Sequence, residues 1–308
     1  MQVGADSVKP GAVLTADRRT GQKGGVLTIR HRRVKSALTK TGGFLSGFSH
    51  SLTPYWGCSY GSSCFYCYVA ESQIQRFHAD GRAWGEWVTA KINIAEVLER
   101  ELDRLARRDI RPRIYCSGST DPFQPRLEPR YGLSGQCLEV LGRFPPALLV
   151  LQTRSPLVER YFELIAAIPT AVLNLTIETD DDSVRRKLTP GCATVERRLA
   201  VARAATARGI FTQISVSPAL PHNPERFAGL IADACRRVIV DDFFHGDGAR
   251  GARSRRRLVP ERLARHGYPG WFGPDTTRRL MAALIERMGE ERVGYSQAGF
   301  NRGLTETA

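Results

Sequence analysis

The sequence has no hydrophobic run long enough to cross a membrane and no apolar leader at its start. A spanning helix needs roughly 18 or more nearly uninterrupted apolar residues, and no stretch of the 308 residues approaches that length. The first 25 residues mix charged side chains with glycines, where a secretory signal would carry an apolar segment. We therefore expect a cytoplasmic protein that is neither exported nor inserted in a membrane.

Two other features are missing. No Gly-x-Gly-x-x-Gly segment follows the first apolar run, which argues against a dinucleotide-binding fold. Without an export signal, the seven cysteines are not expected to form a disulfide framework. Metal binding or catalysis is the better explanation for them.

Positive charge is abundant but unevenly placed. The net charge is +14, of which residues 1–40 carry +7 (nine Lys/Arg against Asp6 and Asp17) and residues 250–265 carry +6 (seven Arg against Glu261). The rest of the chain is therefore nearly neutral. Two basic segments on a neutral body predict a polyanionic partner, most plausibly nucleic acid, contacted through residues 1–40 and 250–265. The alternative is that Arg-rich loops only keep the chain soluble.

Short β-branched runs alternate with helical patterns from about residue 48 onwards. Candidate strands are 49–54, Arg113–Ser117, Ala147–Gln152, Ala171–Ile177, Ile210–Val216 and Val238–Asp242. Helical periodicity covers about 93–108, 131–143, 156–167, 194–208, 224–235 and 275–288. Six βα units predict an α/β fold with a parallel sheet, and an open doubly wound sheet and a partial barrel both fit the pattern.

The chain divides by composition into a body and appendages. Residues 1–40 are predicted to form a basic, mostly flexible N-terminal arm, and 303–308 a C-terminal tail. Residues 41–302 form the predicted α/β domain. Within it, 245–262 is a basic insertion that starts with a glycine- and arginine-rich run typical of a flexible loop.

Three cysteines lie close together just after the first predicted strand. Cys58, Cys64 and Cys67 are spaced C-x5-C-x2-C in a loop of glycine, serine and aromatic residues. Such a loop can aim three thiolates at a cluster or a soft metal. A structural zinc site needs four ligands, for which His50 or His78 is a candidate fourth. Three buried thiols without a metal are the remaining alternative.

This stretch resembles the radical S-adenosylmethionine (SAM) superfamily, and within it the group of spore photoproduct lyase-like and DNA repair photolyase-like proteins. Their pattern is C-x3-C-x2-C with an aromatic residue before the third cysteine, a position held here by Tyr66. The spacing departs from the pattern by two extra residues within 59–63. The resemblance extends over roughly residues 35–302 and implies a partial (βα)6 TIM-type barrel.

The resemblance also implies the cofactors and the reaction. Three cysteines would hold a [4Fe-4S] cluster whose fourth iron binds SAM, and Cys58, Cys64 and Cys67 match those ligands. Reductive cleavage of SAM would give a 5′-deoxyadenosyl radical that abstracts hydrogen from a substrate. A reductant such as flavodoxin or ferredoxin would supply the electron.

Further positions match the family at the ends of predicted strands. The run 116–125 resembles the Ser-x-x-Thr-Asp-Pro-Tyr-Gln-Pro segment of the photolyase-like group, and it implies that Ser119, Thr120 and Asp121 meet the SAM ammonium. By the same resemblance, Arg154 is expected to bind the SAM carboxylate. Other SAM contacts are implied for Thr176, Glu178, Val216 and Ser217.

In barrels of parallel strands, the active site lies at the carboxyl ends of the strands. The sequence therefore predicts a radical SAM enzyme whose substrate is nucleic acid, in repair or modification. A small molecule or peptide is the alternative substrate, and a non-enzymatic zinc-containing nucleic-acid-binding protein is the alternative class. Cys116, Cys192 and Cys235 are interpreted as buried thiols, with a hydrogen donor among them as the alternative.

Overall fold

The computed structural model describes residues 27–273 and 275–301. Its strands are β1 Thr28–Arg32, β2 Leu38–Lys40, β3 His50–Leu52, β4 Tyr55–Trp56, β5 Trp87–Lys91, β6 Arg113–Cys116, β7 Leu148–Thr153, β8 Ala171–Thr176, β9 Phe211–Val216, β10 Arg237–Val240 and β11 Val293–Tyr295. Its helices are α1 Gln73–His78, α2 Ile94–Ala106, α3 Glu128–Tyr131, α4 Leu133–Arg143, α5 Phe162–Ala166, α6 Asp182–Leu188, α7 Val195–Ala207, α8 Pro224–Ala232, α9 Ala252–Arg256, α10 Val259–Arg265, α11 Arg278–Met288 and α12 Ser296–Asn301.

One eight-stranded sheet organises the molecule. Its order is β11-β10-β9-β8-β7-β6-β3-β2, and every neighbouring pair from β3 to β11 is parallel, whereas β2 runs antiparallel to β3. All six strands predicted from the sequence lie in this parallel run, with bounds shifted by a few residues. The buried, β-branched character of these strands explains why the sequence predicts them.

The sheet is a barrel that its strands do not close. A gap separates β11 from β2, and helix α12 bridges it, because Asn301 accepts from the backbone N–H of Gly47 and donates to the carbonyl of Phe44. Phe300 of α12 packs with Phe48, Tyr115 and other side chains on the inner face of the sheet. The α/β partial barrel predicted from the sequence is confirmed.

A second sheet, in the order β1-β5-β4, lies at the entrance of the cysteine loop. The sequence did not predict it, because β4 has two residues and β1 reads Thr-Ile-Arg-His-Arg, without an apolar face. Of the predicted flexible arm 1–40, residues 1–26 lie outside the described residues. The remainder contains β1 and β2.

The basic insertion is folded, contrary to the flexible loop expected from its composition. The Asp247 carboxylate accepts from the backbone N–H groups of Ala249, Gly251 and Ser254 and so organises the start of α9. Val259 and Leu263 of α10 are fully buried in the cluster that contains the cysteine loop. None of the described helices is long and apolar enough to span a bilayer.

Candidate active site

The three clustered cysteines share one cavity at the carboxyl ends of the parallel strands, called here the cysteine cavity. Cys58, Cys64 and Cys67 all line it, and its volume is about 930 Å³ including the open mouth. Ten of the twelve predicted site residues line this cavity: Cys58, Cys64, Tyr66, Cys67, Ser119, Thr120, Asp121, Arg154, Thr176 and Ser217. The loops after β6, β7 and β9 thus bring residues that are distant in sequence to one place.

The wide spacing between Cys58 and Cys64 is taken up by compact turns. The Gly61 N–H donates to the Cys58 carbonyl at 2.9 Å, and the Cys64 N–H donates to the Tyr60 carbonyl at 3.0 Å. Gly61 lies so close to Trp84 that an added Cβ would come within 2.6 Å of the indole ring. The two extra residues therefore pack against the neighbouring Trp84 loop and leave all three thiols facing the cavity.

The polar run 116–125 holds the cysteine loop in place. The Thr120 hydroxyl donates to the Gly57 carbonyl at 2.5 Å, and Gln124 accepts from the Ser59 N–H at 2.6 Å. These contacts flank Cys58 on both sides. Sequence reasoning missed Gln124, which is fully buried, although it lies within the very motif that carried the resemblance.

Asp121 organises the loop that follows β6. Its carboxylate accepts from the Thr153 hydroxyl at 2.8 Å and from the backbone N–H groups of Arg154 and Phe123, both at 2.9 Å. Burial nevertheless raises the pKa of this carboxyl. Because its carboxylate already accepts three hydrogen bonds from the protein, the Asp121 side chain fixes the backbone of its loop. The backbone carbonyls of this loop are then the groups that can bind a ligand.

Arg154 lies against the cysteines. Its Nη1 is 3.0 Å from Cys64 Sγ, 3.4 Å from the Tyr66 hydroxyl and 2.9 Å from Glu178 Oε1. In the described part of the chain these side-chain contacts of Arg154, and a longer one to Cys192, are all made by Nη1. The outer edge of the guanidinium thus remains able to meet an anion in the cavity.

Two predicted SAM contacts do not line the cavity. Glu178 is fully buried, and its oxygens are taken by Arg154, by Arg198 at 2.6 Å and by the Tyr66 hydroxyl at 3.0 Å. Burial alone would raise the pKa of Glu178, but Arg198 and Arg154 hold it below its usual range. Glu178 therefore positions Arg154 and Tyr66. Val216 is likewise fully buried in the main core.

A fourth cysteine reaches the cluster of thiols, which sequence reasoning did not expect. Cys192, interpreted from the sequence as an ordinary buried thiol, lies beside Cys64, and the hydrogen bond between the two thiols lowers the pKa of Cys192 below its usual range. The loop that carries it packs closely, because a Cβ at Gly191 would collide with Ser63. No signal in the sequence links residues 64 and 192, since only the fold brings them together.

The donor set fits an iron–sulfur cluster better than a single ion. Within residues 27–273 and 275–301, no three His, Cys, Asp or Glu side chains converge as ligands of one metal ion. A structural zinc site would need four such ligands around one point. A cluster takes its thiolates on separate irons, so thiols spread around one cavity suffice.

Comparisons with known proteins agree with this geometry. A model of the radical SAM superfamily matches residues 52–234. Uncharacterized proteins of Mycobacterium bovis and Mycobacterium tuberculosis are 30% identical over 200 residues, covering 63% of this chain and 57% of theirs. The chain thus spans little more than half the length of these relatives.

Solved structures of similar fold include spore photoproduct lyases. A variant with bound AdoMet and dinucleoside spore photoproduct aligns with a TM-score of 0.60 and 13% identity, covering 87% of this chain and 81% of that chain. A second variant gives the same TM-score and coverage with 14% identity. At such identities the likeness concerns the fold.

Proposed function

The chain belongs to the radical SAM superfamily, and we propose that Cys58, Cys64 and Cys67 hold a [4Fe-4S] cluster with S-adenosylmethionine bound beside it. Family membership implies SAM and an iron–sulfur cluster. The observation that carries the assignment to these residues is that the three thiols line one cavity together with the polar ends of β6, β7, β8 and β9. A cluster held by these cysteines would, when reduced, supply the electron that cleaves SAM to methionine and a 5′-deoxyadenosyl radical, which would take hydrogen from the substrate.

The residues of the chain bind and orient the cofactor. Arg154 takes the SAM carboxylate with the outer edge of its guanidinium, a charge-assisted bond that Glu178 aligns from behind. The backbone carbonyls of Ser119, Thr120 and Asp121 accept from the SAM ammonium. Thr176 and Ser217 offer hydroxyl groups on the far wall of the cysteine cavity.

Aromatic side chains limit the access of water to the thiols. Tyr66, Trp84 and Phe243 line the cavity and are each less than a tenth exposed. A low-dielectric wall of this kind strengthens the electrostatic contacts of Arg154. An electron donor such as flavodoxin or ferredoxin would approach from the side of the cysteine loop, where Cys67 is partly exposed.

The cluster assignment is tested by replacing single cysteines. Alanine at Cys58, Cys64 or Cys67 should reduce the iron content and abolish reductive SAM cleavage, because one iron loses its thiolate. Anaerobically purified wild type should be brown with broad absorption near 400 nm. The matched control is Cys137→Ala, a buried thiol of the main core, which should keep both iron and activity.

Two outcomes would contradict the assignment. Full iron and full activity in Cys58→Ala would remove the wide-spaced ligand from the site. A colourless protein that carries zinc would favour the non-enzymatic alternative and with it a structural role for the cysteines.

We further propose that the substrate is nucleic acid. Arg250, Arg255 and Arg256 of the basic insertion are exposed, as is Arg265 just after it, whereas Arg257 of the insertion is anchored to the Phe65 carbonyl at 3.0 Å. Ser254 and Asp247 of the same segment line the cysteine cavity. Phosphates attracted to the exposed arginines would therefore lie next to the proposed radical site. A small molecule or a peptide is the alternative substrate.

Salt dependence tests this substrate class. Binding of single-stranded DNA and RNA should weaken with salt, and changing Arg250, Arg255 and Arg256 together to Ser should reduce the log–log slope by about 0.7–0.9 for each phosphate that is no longer neutralised. The control changes Arg100, Arg104 and Arg108, which lie on or just after α2 and are also exposed. A flat salt response, or equal slopes in both triple variants, would favour the small-molecule or peptide alternative.

A further inference from the structure

The wall of the cysteine cavity contains a buried indole N–H that makes no ordinary hydrogen bond. Trp84 lines the cavity together with Cys58, Cys64 and Cys67, and it is 7% exposed. Its Nε1 is buried and has no hydrogen-bond partner at ordinary distances among the residues described. Buried donors of this kind are rare, and each one calls for an explanation such as a bound group.

The widened cysteine loop holds this indole in position. A Cβ at Gly61 would come within 2.6 Å of Trp84 Cδ1 and 2.7 Å of Nε1. A Cβ at Gly85 would come within 2.2 Å of the Ser62 backbone nitrogen. On another side, the Trp87 ring meets the Trp84 ring edge-on, with centroids 6.0 Å apart. The cysteine loop and the Trp84 loop are therefore interlocked, and close packing leaves the indole little freedom to turn away from the cavity.

The side chain that this indole influences is Cys67, one of the three proposed ligands. Burial raises the pKa of the Cys67 thiol, and the Trp84 indole is among the groups that act against burial. An indole N–H can only donate, and a donor stabilises a negatively charged sulfur. The Trp84 donor therefore lies on the side of the cavity where the Cys67 sulfur is found.

A second donor is already bonded to another of the three thiols. Arg154 Nη1 is 3.0 Å from Cys64 Sγ, and Glu178, itself paired with Arg198, keeps this guanidinium in place. Hydrogen bonds to the sulfurs of an iron–sulfur cluster are among the factors that set its reduction potential. Reduction adds one negative charge, which N–H donors stabilise, so such bonds raise the potential.

We propose that Trp84 is a redox-tuning residue whose indole N–H donates to a cluster sulfur on the side of Cys67. It acts in the same sense as Arg154, which donates to the Cys64 sulfur, and the two donors make the cluster easier to reduce. The loop that departs from the family spacing then serves to seat Trp84. This inference rests on the proposed function, because it requires the cluster to be bound at the three cysteines.

Equilibrium redox titration of the reconstituted cluster without SAM, followed by electron paramagnetic resonance (EPR), tests the inference. Trp84→Phe keeps an aromatic ring in the cavity wall and removes the N–H. The reduction equilibrium should shift about threefold to tenfold towards the oxidised cluster, or about 30–60 mV at 59 mV per tenfold for one electron. Leaving SAM out separates this effect from any contact between Trp84 and the cofactor.

Trp87→Phe is the matched control. Trp87 lies next to Trp84 and is fully buried, but its N–H donates to Gln75 Oε1 at 3.0 Å and so is not free to meet the cluster. This variant loses a buried hydrogen bond and should still titrate like the wild type. A shift in Trp84→Phe alone would therefore come from the lost N–H and not from looser packing.

Isotope labelling gives a readout that a packing role would not move. Of the four tryptophans, Trp84 lines the cysteine cavity. In reduced protein labelled with ¹⁵N-tryptophan, pulsed EPR should detect a weak coupling between the cluster spin and an indole nitrogen. Trp87→Phe should retain this coupling and Trp84→Phe should lose it. The wild type and the control suffice for detection, so the measurement decides the question even where Trp84→Phe does not fold.

The inference is overturned if Trp84→Phe has the potential of the wild type, if Trp87→Phe shifts the potential equally, or if the labelled wild type shows no nitrogen coupling. Failure of the proposed function looks different. The purified protein would then hold no iron–sulfur cluster and give no titratable signal, which overturns both proposals. An unchanged potential in a protein that does hold the cluster overturns the role of Trp84 alone.

Discussion

Two buried carboxyl groups follow strands of the same sheet, and their surroundings differ in kind. Glu178, just beyond β8, has Arg154, Arg198 and the Tyr66 hydroxyl within hydrogen-bond distance. Asp241, just beyond β10, has another acid as its neighbour and one oxygen without a partner in the described structure. The pKa of Glu178 is accordingly lowered, although burial itself acts in the opposite direction, and burial raises that of Asp241.

The difference shows which parts of the site the protein completes by itself. Around Glu178 both carboxylate oxygens have their partners before any cofactor arrives, so Arg154 and Tyr66 are already held beside the cysteines. Preorganisation of this kind costs no rearrangement when the cofactor binds. Around Asp241 one carboxyl oxygen has no hydrogen-bond partner among the described residues and the neighbouring Asp242 is also an acid, so the surroundings favour the neutral form of this carboxyl.

The largest expected effect comes from removing the negative charge of Glu178. Glu178→Gln leaves the fully buried Arg198 and the partly buried Arg154 without a carboxylate, and Arg198 already has Nε and Nη2 unpartnered in the described structure. Breaking a buried ion pair from one side typically costs about 3–5 kcal/mol. Urea unfolding of both proteins in the same cofactor state should show a loss of stability of that order.

The matched control is a pair near the surface. Glu159 and Arg197 form an ion pair with partly exposed side chains, and Glu159→Gln should cost no more than about 1 kcal/mol. If Glu178→Gln were as mild as this control, the network around Arg154 would not be held by charge, and the contrast with Asp241 would disappear.

The main sheet was predictable from the sequence because each of its six central strands is locally apolar and bounded by turn residues. The cysteine trio and the run 116–125 were also identified, since each lies in one short segment. Contacts between distant segments escaped prediction. Arg198 looks like one more helical arginine in the sequence, yet α7 buries it completely against Glu178.

The composition of the basic insertion led to a wrong prediction of a flexible loop, and nothing in the sequence indicated the environment of Asp241. The run 245–258 is rich in glycine and arginine, which is typical of a loop, but the Asp247 carboxylate caps it and Val259 and Leu263 anchor the helix that follows. Asp241 was expected only as part of a strand, Val238–Asp242. Its burial beside Asp242 and under the Gly246 backbone depends on how the chain folds after β10, which no local pattern reveals.

The same change from carboxyl to amide at Asp241 should stabilise the folded protein near neutral pH, whereas Glu178→Gln destabilises it. The pKa of Asp241 is raised from 3.8 to about 7 in the folded protein by burial. Between pH about 4 and 7 the folded state therefore holds a proton that the unfolded state has released, so this carboxyl makes the stability of the wild type fall as the pH rises.

Asp241→Asn removes that dependence of stability on pH. Relative to the wild type, the variant should gain about 2–4 kcal/mol between pH 4.5 and pH 8, since each unit of pKa difference corresponds to about 1.4 kcal/mol. Urea unfolding at a series of pH values measures this difference, and titration of all other groups cancels in the comparison. Parallel stability curves for the two proteins would show that Asp241 ionises normally, and Glu178 and Asp241 would then not differ in the way proposed.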